Sequence, residues 1–207
     1  MSFLKNITNA QLDVLKEIGN IGAGNAATAL SNILNKAIHM EVPDAKVGTF
    51  DEIMELIGSE QEVVALYLRL EGDIQGSMFF ILSVQNASEY LNVLVGETTI
   101  SLEKEMNDLE ISALQELGNI LVGSYVSALS DLTKLYIYQS VPFLSVDMFG
   151  AVISHGLLEL SPVSDQALII DTVIKDNEQQ DQDFLKGHIF FLPNHEAYQK
   201  IFEKLEV

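Results

Sequence analysis

The chain has no cysteine and few basic residues. Of its 207 residues, 11 are Lys or Arg and 30 are Asp or Glu, so the formal net charge is −19. The absence of cysteine excludes disulfides, thiolate metal sites and cysteine nucleophiles, and it fits a reducing compartment, so we expect a cytoplasmic protein. A surface this negative repels nucleic-acid phosphates and anionic lipids, which argues against both as partners.

Long hydrophobic runs are also missing. No stretch approaches the roughly 18 apolar residues of a membrane helix, and the N-terminal segment lacks the continuous apolar block of a signal peptide. We therefore expect no membrane insertion. Apolar residues nevertheless make up 48% of the chain. This is enough to bury one large core, either in a single domain or in two closely packed halves.

The sequence contains an internal repeat. The tetrapeptide EIGN, at residues 17–20, returns ninety-nine positions later as ELGN, at residues 116–119. At the same offset, nine of the twenty positions in the surrounding helix-like segment are identical, and Pro43 matches Pro142. The repeat indicates a duplication that produced two similar halves.

The two halves, 1–100 and 101–207, predict the same order of elements. Apolar residues three or four apart in 9–36 indicate an amphipathic helix with Asn9 as its N-cap. Farther along, each half contains two apolar strand-like segments and a closing helix, so we predict helix, strand, helix, strand hairpin, helix in each. The predicted strand segments are 63–70, 78–84, 167–174 and 188–193, and the closing helices are 87–96 and 196–205.

We predict an α+β fold for the whole chain, 1–207, as a single domain. Its homologous halves are related by a pseudo-two-fold axis and share one β-sheet, mainly antiparallel, flanked by the long helices that carry the repeated motif. The acidic segment 97–110 is the predicted junction between the halves. The tract 175–183 has no apolar residue and is predicted to be a solvated hairpin loop.

The repeated acid and amide lie three residues apart, so on a helix they project from the same face. A polar stripe of this kind is usually just the solvated side of an amphipathic helix. Here most solvent-facing neighbours differ between the copies while the acid and the amide do not, and Asn is a weak helix former that is costly to keep twice. The two pairs are Glu17 with Asn20 and Glu116 with Asn119.

A carboxylate beside a carboxamide is suited to positioning rather than to covalent catalysis, because neither group is a strong nucleophile. The carboxamide both donates and accepts hydrogen bonds, so it can hold a water in line with an electrophile, while the carboxylate pairs with a nearby cation. A Gln orients the attacking water in this way during GTP hydrolysis. Asp13, four residues before the first Glu, and Ser112, at the equivalent place in the second copy, join these faces as supporting residues.

The spacing of Gly19, Gly22 and Gly24 is superficially that of a dinucleotide-binding loop. That motif requires a preceding strand, whereas residues 11–18 have helical periodicity, so we set it aside. We predict instead that the small residues of this helix form a smooth surface on which the sheet or the sister helix packs closely. Bulkier residues replace several of them in the second copy, so the two helices are expected to pack differently.

Through these residues the chain resembles the CheC family of bacterial chemotaxis phosphatases. The family motif is Asp or Ser, three residues, Glu, two residues, Asn, about twenty-two residues and Pro, and the resemblance covers essentially the whole chain. Members of the CheX branch are shorter, carry one motif and dimerise, and FliY proteins have a further C-terminal domain, so this chain is expected to be a CheC-like monomer. The two copies of the motif are Asp13-Glu17-Asn20-Pro43 and Ser112-Glu116-Asn119-Pro142.

The resemblance implies a phosphatase that acts on phosphorylated CheY, the response regulator that carries an aspartyl phosphate. Asn20 and Asn119 would each orient the hydrolytic water, and Glu17 and Glu116 would pair with a Lys of CheY. The Mg²⁺ of the reaction would be held by CheY, so no metal or cofactor of the chain's own is expected. Catalysis would then rest on positioning and electrostatics.

The remaining motif residues and the histidines have architectural expectations. Pro43 and Pro142 would end the region of each motif helix and lead the chain into the next strand. The histidines are scattered in the sequence, so we expect them at the surface or in turns rather than in a metal site. They are at positions 39, 155, 188 and 195.

The resemblance also implies CheD, the receptor glutamine deamidase, as a partner that binds a helix in the second half. The counterpart here is 143–156, in which Asp147 is the candidate contact. An exposed apolar helix is a plausible docking site. The alternative, that this segment simply packs on the sheet, is equally open.

Two further classes of function compete with the phosphatase. A non-enzymatic adaptor would bind phosphorylated CheY or CheD and use the Glu/Asn pairs as docking contacts. A flagellar-switch component related to FliM would share the fold but lack both pairs, so the intact pairs argue against it. An enzyme with its own small substrate is the most distant alternative, since the sequence has no His-containing acid/base dyad, phosphate loop or metal cluster.

Overall fold

The chain folds as two successive copies of one order of elements. The computed structural model describes residues 7–95, 100, 104–160, 166–176 and 183–205. The first half contains α1 (Asn9–Leu34), β1 (Ile38–Glu41), β2 (Ala45–Thr49), α2 (Phe50–Ile57), β3 (Glu62–Gly72), β4 (Gly76–Ser83) and α3 (Val84–Val95). The second contains α4 (Asp108–Thr133), β5 (Ile137–Gln139), β6 (Phe143–Met148), α5 (Phe149–Leu160), β7 (Gln166–Asp176), β8 (Asp183–Pro193) and α6 (His195–Leu205).

Each half has one strand more than predicted before its second helix. The predicted hairpins and closing helices are confirmed as β3–β4 with α3 and β7–β8 with α6. The prediction of a single strand after the motif helix is wrong, because two short strands occupy that place in both halves. Strands of three to six residues are too short to show a clear alternation of apolar and polar side chains.

The β-sheet is built by exchange of strands between the halves. The strand order is β1-β7-β8-β4-β3-β5, with β2 also beside β7 and β6 also beside β3. All of these described pairs are antiparallel. The short strands β1 and β2 of the first half therefore pair with the long hairpin of the second, and β5 and β6 pair with the hairpin of the first. The predicted shared, mainly antiparallel sheet is confirmed.

Helices cover both faces of this sheet. On one face α1, α3, α4 and α6 pack over inward side chains such as Leu66, Phe80 and Ile189, all fully buried. On the other face α2 and α5 form a smaller core with Phe79, Phe149 and other buried residues. Side chains of one strand alternate between the two cores, which explains why β3 and β4 are apolar along most of their length.

The ends of the two long helices repeat as closely as their motifs do. Thr8, rather than the predicted Asn9, caps α1, because its side chain accepts from the N–H of Gln11 while Gln11 bonds back to Thr8. The helices end in left-handed residues at Asn35 (φ 50°) and Lys134 (φ 58°), ninety-nine positions apart. This conformation is uncommon for residues other than glycine. Both long helices nevertheless end in it at a residue that is not glycine.

The two motif helices pack on each other through a glycine, as predicted for the small residues of α1. A Cβ at Gly22 would lie 2.9 Å from Cα of Tyr125 and 3.1 Å from the carbonyl oxygen of Ser124. Only a residue without a side chain allows the backbones of α1 and α4 to approach this closely. Gly24, on the same helix, is exposed and has nothing within 4 Å of its Cβ position.

Two predicted loops are only partly within the described residues. Of the polar tract 175–183, residues 177–182 lie outside them, between β7 and β8, and of the junction 97–110, residues 97–99 and 101–103 do. Among the helices in the described ranges, none combines the length and the apolar character needed to cross a membrane.

Candidate functional site

In the first half, the motif Asn is held against the loop that follows β1. Oδ1 of Asn20 accepts a hydrogen bond from the backbone N–H of Val42, with 3.0 Å between the heavy atoms. Glu17, one turn earlier on α1, is exposed, while Asn20 is half-buried. Lys16 donates from Nζ to the carbonyl oxygen of Pro43. Two bonds thus fasten the β1–β2 loop to the motif face of α1.

In the second half, the equivalent bonds come from side-chain amides. Nε2 of Gln139 donates to Oδ1 of Asn119 at 2.8 Å and to the backbone oxygen of the same residue at 3.1 Å. Gln115 donates from Nε2 to the carbonyl oxygen of Pro142 at 3.0 Å. The loop between β5 and β6 is therefore fastened to α4 as the β1–β2 loop is to α1.

These contacts correct two expectations from the sequence. The prolines do not end the motif helices, because Pro43 lies after β1 and Pro142 after β5. They do precede the next strand, β2 or β6, as predicted, and each also offers its carbonyl to the helix. The neighbours that differ between the copies are not all solvent-facing, because Lys16 and its equivalent Gln115 are both half-buried and make the same bond. Comparison of the two halves by residue identity misses this equivalence, because the two positions share a hydrogen-bond donor and not a residue type.

The glycine beside each motif Asn lets the surrounding structure come close to the helix. A Cβ at Gly19 would lie 3.3 Å from the side chain of Val42, the residue whose N–H bonds Asn20. A Cβ at Gly118 would lie 3.0 Å from the Leu66 side chain on β3. The repeated glycine of the motif is therefore explained by packing.

The motif residues of the second half line a shared open cleft of about 330 Å³. Its walls are the exposed face of α4 and the β5–β6 loop. No His, Lys or Cys is among its lining residues, and Glu116 is the only acidic side chain among them. The lining residues are Ser112, Gln115, Glu116, Asn119, Gln139, Ser140, Val141 and Pro142.

A buried tyrosine lies near the motif acid of the second half. Tyr90 of α3 is 1% exposed, and its hydroxyl has no hydrogen-bond partner among the described residues. Burial raises the pKa of Tyr90, and the negative charge of Glu116 raises it further. The tyrosine therefore remains neutral, and Glu116 itself lies at an exposed position of α4.

Asp147 is set apart from the Glu/Asn faces, and its surroundings differ from those predicted. The segment 143–156 is not one helix, because its first six residues form β6, paired with β3. Asp147 is half-buried at the wall of an apolar groove of about 410 Å³, and one oxygen accepts from the N–H of Met148. In α5, Phe149, Val152 and Ile153 are buried, which favours the packing alternative for that part of the segment.

Not all of the histidines lie at the surface or in turns, where the sequence predicts them. His188 lies within β8, where Nδ1 is 2.7 Å from Oδ1 of Asp171 on β7. The hydrogen bond from His188 lowers the pKa of Asp171 below its usual range, against the opposing effect of burial. His39 is exposed on β1, as expected. Within the described part of the chain, no group of three or more His, Asp or Glu residues is arranged to hold a metal ion.

Comparison with known proteins gives consistent matches. The sequence model of the CheC-like family matches residues 11–47 and 109–146, the two motif regions. The CheY-P phosphatase CheC of Bacillus subtilis (strain 168) is 47% identical over 207 residues, 99% of this chain and 98% of that protein. The flagellar motor switch phosphatase FliY of the same strain is 25% identical over 137 residues, 66% of this chain and 36% of that protein.

Solved structures share the fold. The crystal structure of Thermotoga maritima FliY matches with a TM-score of 0.76 at 20% identity, covering 97% of this chain and 98% of that one. At this identity the match supports the architecture alone. The sequence similarity to the CheC of Bacillus subtilis extends over nearly the whole length of both chains, and both motif regions match the family model. The chain belongs to the CheC-like family.

Proposed function

We propose that the chain is a cytoplasmic phosphatase that hydrolyses the aspartyl phosphate of phosphorylated CheY. The observation that carries this proposal is the 47% identity, over nearly the full length, to a relative named as a CheY-P phosphatase. The Glu/Asn pair on an exposed helix face in each half supports it, since the reaction needs a positioned water and a docking contact.

The proposed reaction is attack of a water on phosphorus. The water oxygen bonds to phosphorus as the bond from phosphorus to the aspartyl oxygen breaks, releasing the free carboxylate of CheY and inorganic phosphate as H₂PO₄⁻, which carries both protons of the water. Asn20 or Asn119 holds the water in line with the breaking bond. Mg²⁺ held by CheY would supply neutralisation of the charge on the phosphoryl oxygens. The phosphatase then needs neither a nucleophile nor a metal ligand of its own.

The motif acids serve as docking residues in this proposal. Glu17 and Glu116 are exposed one turn before their Asn partners, so each can pair with a Lys of CheY while the amide enters the site. Such a pair fixes the approach of the two proteins and contributes more to orientation than to affinity. Each half then holds one complete site, and the two sites lie on the sister helices α1 and α4.

A turnover assay separates this phosphatase from the adaptor alternative. Radiolabelled phospho-CheY is incubated with Mg²⁺ and a small molar fraction of the chain. The whole population of phospho-CheY is expected to lose its label as inorganic phosphate faster than it does without the chain. An adaptor would protect or sequester only a stoichiometric amount of phospho-CheY. Acceleration limited to a stoichiometric amount of phospho-CheY, or an unchanged lifetime at every ratio, would contradict the phosphatase.

We also propose CheD as a partner that contacts the groove beside Asp147. The groove is mostly apolar, with aromatic side chains in its wall, and Asp147 is one of three charged residues that line it, with Arg69 and Glu71. Apolar area bordered by charged side chains is typical of a protein contact.

The Asp147→Ala variant is expected to bind CheD at least tenfold more weakly in titration calorimetry, as expected for a contact worth about 1.4 kcal/mol. Asp131→Ala removes the same charge from an exposed position near the end of α4 and is expected to leave the affinity unchanged. Equal affinities for the two variants would remove Asp147 from the contact.

A further inference from the structure

The two motif amides are held in the same orientation by unlike donors. In the first half the N–H of Val42 bonds Oδ1 of Asn20, and in the second Nε2 of Gln139 bonds Oδ1 of Asn119. A backbone N–H only donates, so Oδ1 of Asn20 must face it and Nδ2 must face away. Both halves therefore turn the amide nitrogen outward.

The bonding of Gln139 determines the orientation of Asn119 just as firmly. The same Nε2 also donates to the backbone oxygen of Asn119, which only accepts, so the nitrogen end of Gln139 must face α4. With that nitrogen in place, the oxygen end of the Asn119 amide must face it. One side chain thus determines which end of the motif amide is presented to the cleft.

Gln139 is not required by the fold at its position. The equivalent residue in the first half is Met40, which is buried in the main core. The placement of Gln139 also leaves its own Oε1 buried without a hydrogen-bond partner among the described residues. A buried acceptor without a partner is unfavourable for stability. An arrangement that costs stability and orients a motif residue is typical of a functional site.

The helix provides space for this amide through a glycine. A Cβ at Gly123 would lie 2.9 Å from Nε2 of Gln139, whereas the equivalent Gly24 in the first half faces open space. The Gly at this place in the repeat therefore has a steric role only where a Gln lies against the helix.

We propose that Gln139 is a positioning residue of the second phosphatase site, which holds the Asn119 amide with Nδ2 toward the bound phosphoryl group and its water. This inference rests on the proposed function. Without the bond, the amide is free to rotate and to present either end, so fewer encounters have the productive orientation. The loss should appear in kcat more than in KM, because Glu116, the docking residue, is untouched.

The test uses variants in which only one site works. In the Asn20→Ala background, Gln139→Ala is expected to lower kcat for phospho-CheY by roughly tenfold, with KM changed less than about twofold. Gln139→Glu is expected to lower kcat at least as much, because a carboxylate cannot donate to Oδ1 of Asn119 and attracts Nδ2 inward. In the Asn119→Ala background, Gln139→Ala is expected to add no further loss, since no amide is left to orient.

A matched glycine pair gives a second readout that leaves Gln139 in place. In the Asn20→Ala background, Gly123→Ala is expected to lower kcat, because the new methyl group displaces the Gln139 amide. Gly24→Ala, at the equivalent place in the first half, is expected to leave the same rate unchanged.

The outcomes distinguish the inference from the function on which it rests. If the wild-type chain does not shorten the lifetime of phospho-CheY, the proposed function fails. If the wild type is active but Asn20→Ala and Asn20→Ala/Asn119→Ala have equal rates, the second site is inactive and the role of Gln139 fails while the phosphatase stands. If they differ but Gln139→Ala leaves kcat unchanged in the Asn20→Ala background, the role of Gln139 alone is overturned. Equal losses from Gln139→Ala in both backgrounds would also overturn it, because they would indicate a general effect on the fold.

Discussion

The Asn20→Ala/Asn119→Ala double variant is expected to lose nearly all acceleration of phospho-CheY dephosphorylation. Each single variant retains one intact amide and should keep a substantial part of the rate. Removing one oriented hydrogen-bonding group from a catalytic site typically costs about 10²–10³ in rate. With both sites altered, the steady-state kcat/KM should therefore fall by roughly that factor.

The control for this variant is another Asn on the same helix. Asn25 is exposed on α1, outside the Glu/Asn face, and Asn25→Ala is expected to have the wild-type rate. The free energies of unfolding should be compared for all the variants, because Asn20 also fastens the β1–β2 loop through Val42. A double variant that is folded and keeps more than half of the wild-type kcat/KM would contradict the role assigned to the two amides.

Gly22→Ala is expected to destabilise the fold, with Gly24→Ala as its matched control. Both substitutions gain helix propensity, by up to about 1 kcal/mol. Only the first places a methyl group 2.9 Å from a backbone atom of α4, where neither helix can move without disturbing the core. Overpacking of this kind costs about 1–3 kcal/mol, so Gly22→Ala should have a free energy of unfolding lower than that of Gly24→Ala by this amount.

Urea unfolding measures this difference directly. The slope with denaturant should be the same for both variants, since neither changes the surface that unfolding exposes. A Gly22→Ala variant as stable as Gly24→Ala would show that the α1–α4 contact can relax. The close approach of the two motif helices would then not depend on the glycine.

Much of the fold could be predicted from the sequence because the repeat is preserved in local patterns. The long helices have apolar residues at helical spacing, and the hairpins β3–β4 and β7–β8 are long enough to show continuous apolar character. The pairing of β1 and β2 with β7 could not be predicted. It joins residues more than a hundred positions apart, and the strands involved are too short to indicate a register.

The sequence predicts which residues form the candidate site, and their roles stay a prediction, but it does not indicate the contacts that support them. The faces with Glu17, Asn20, Glu116 and Asn119 follow from helical spacing alone. The donor to Asn20 is a backbone N–H, which no residue type reveals. Gln139 is detectable in the sequence as a polar residue at the position where the first half has the apolar Met40. This difference can be interpreted only once the structure places β5 beside Asn119.

A single-turnover measurement tests the central claim most directly. Radiolabelled phospho-CheY is mixed with a saturating excess of the chain, so that binding is complete and only the chemical step is observed. The wild-type chain is predicted to shorten the lifetime of the phosphate. The Asn20→Ala/Asn119→Ala variant is predicted to bind phospho-CheY and to leave the lifetime of the phosphate at its spontaneous value. If the double variant, fully bound, releases phosphate as fast as the wild type, the amides do not position the water and the account is wrong.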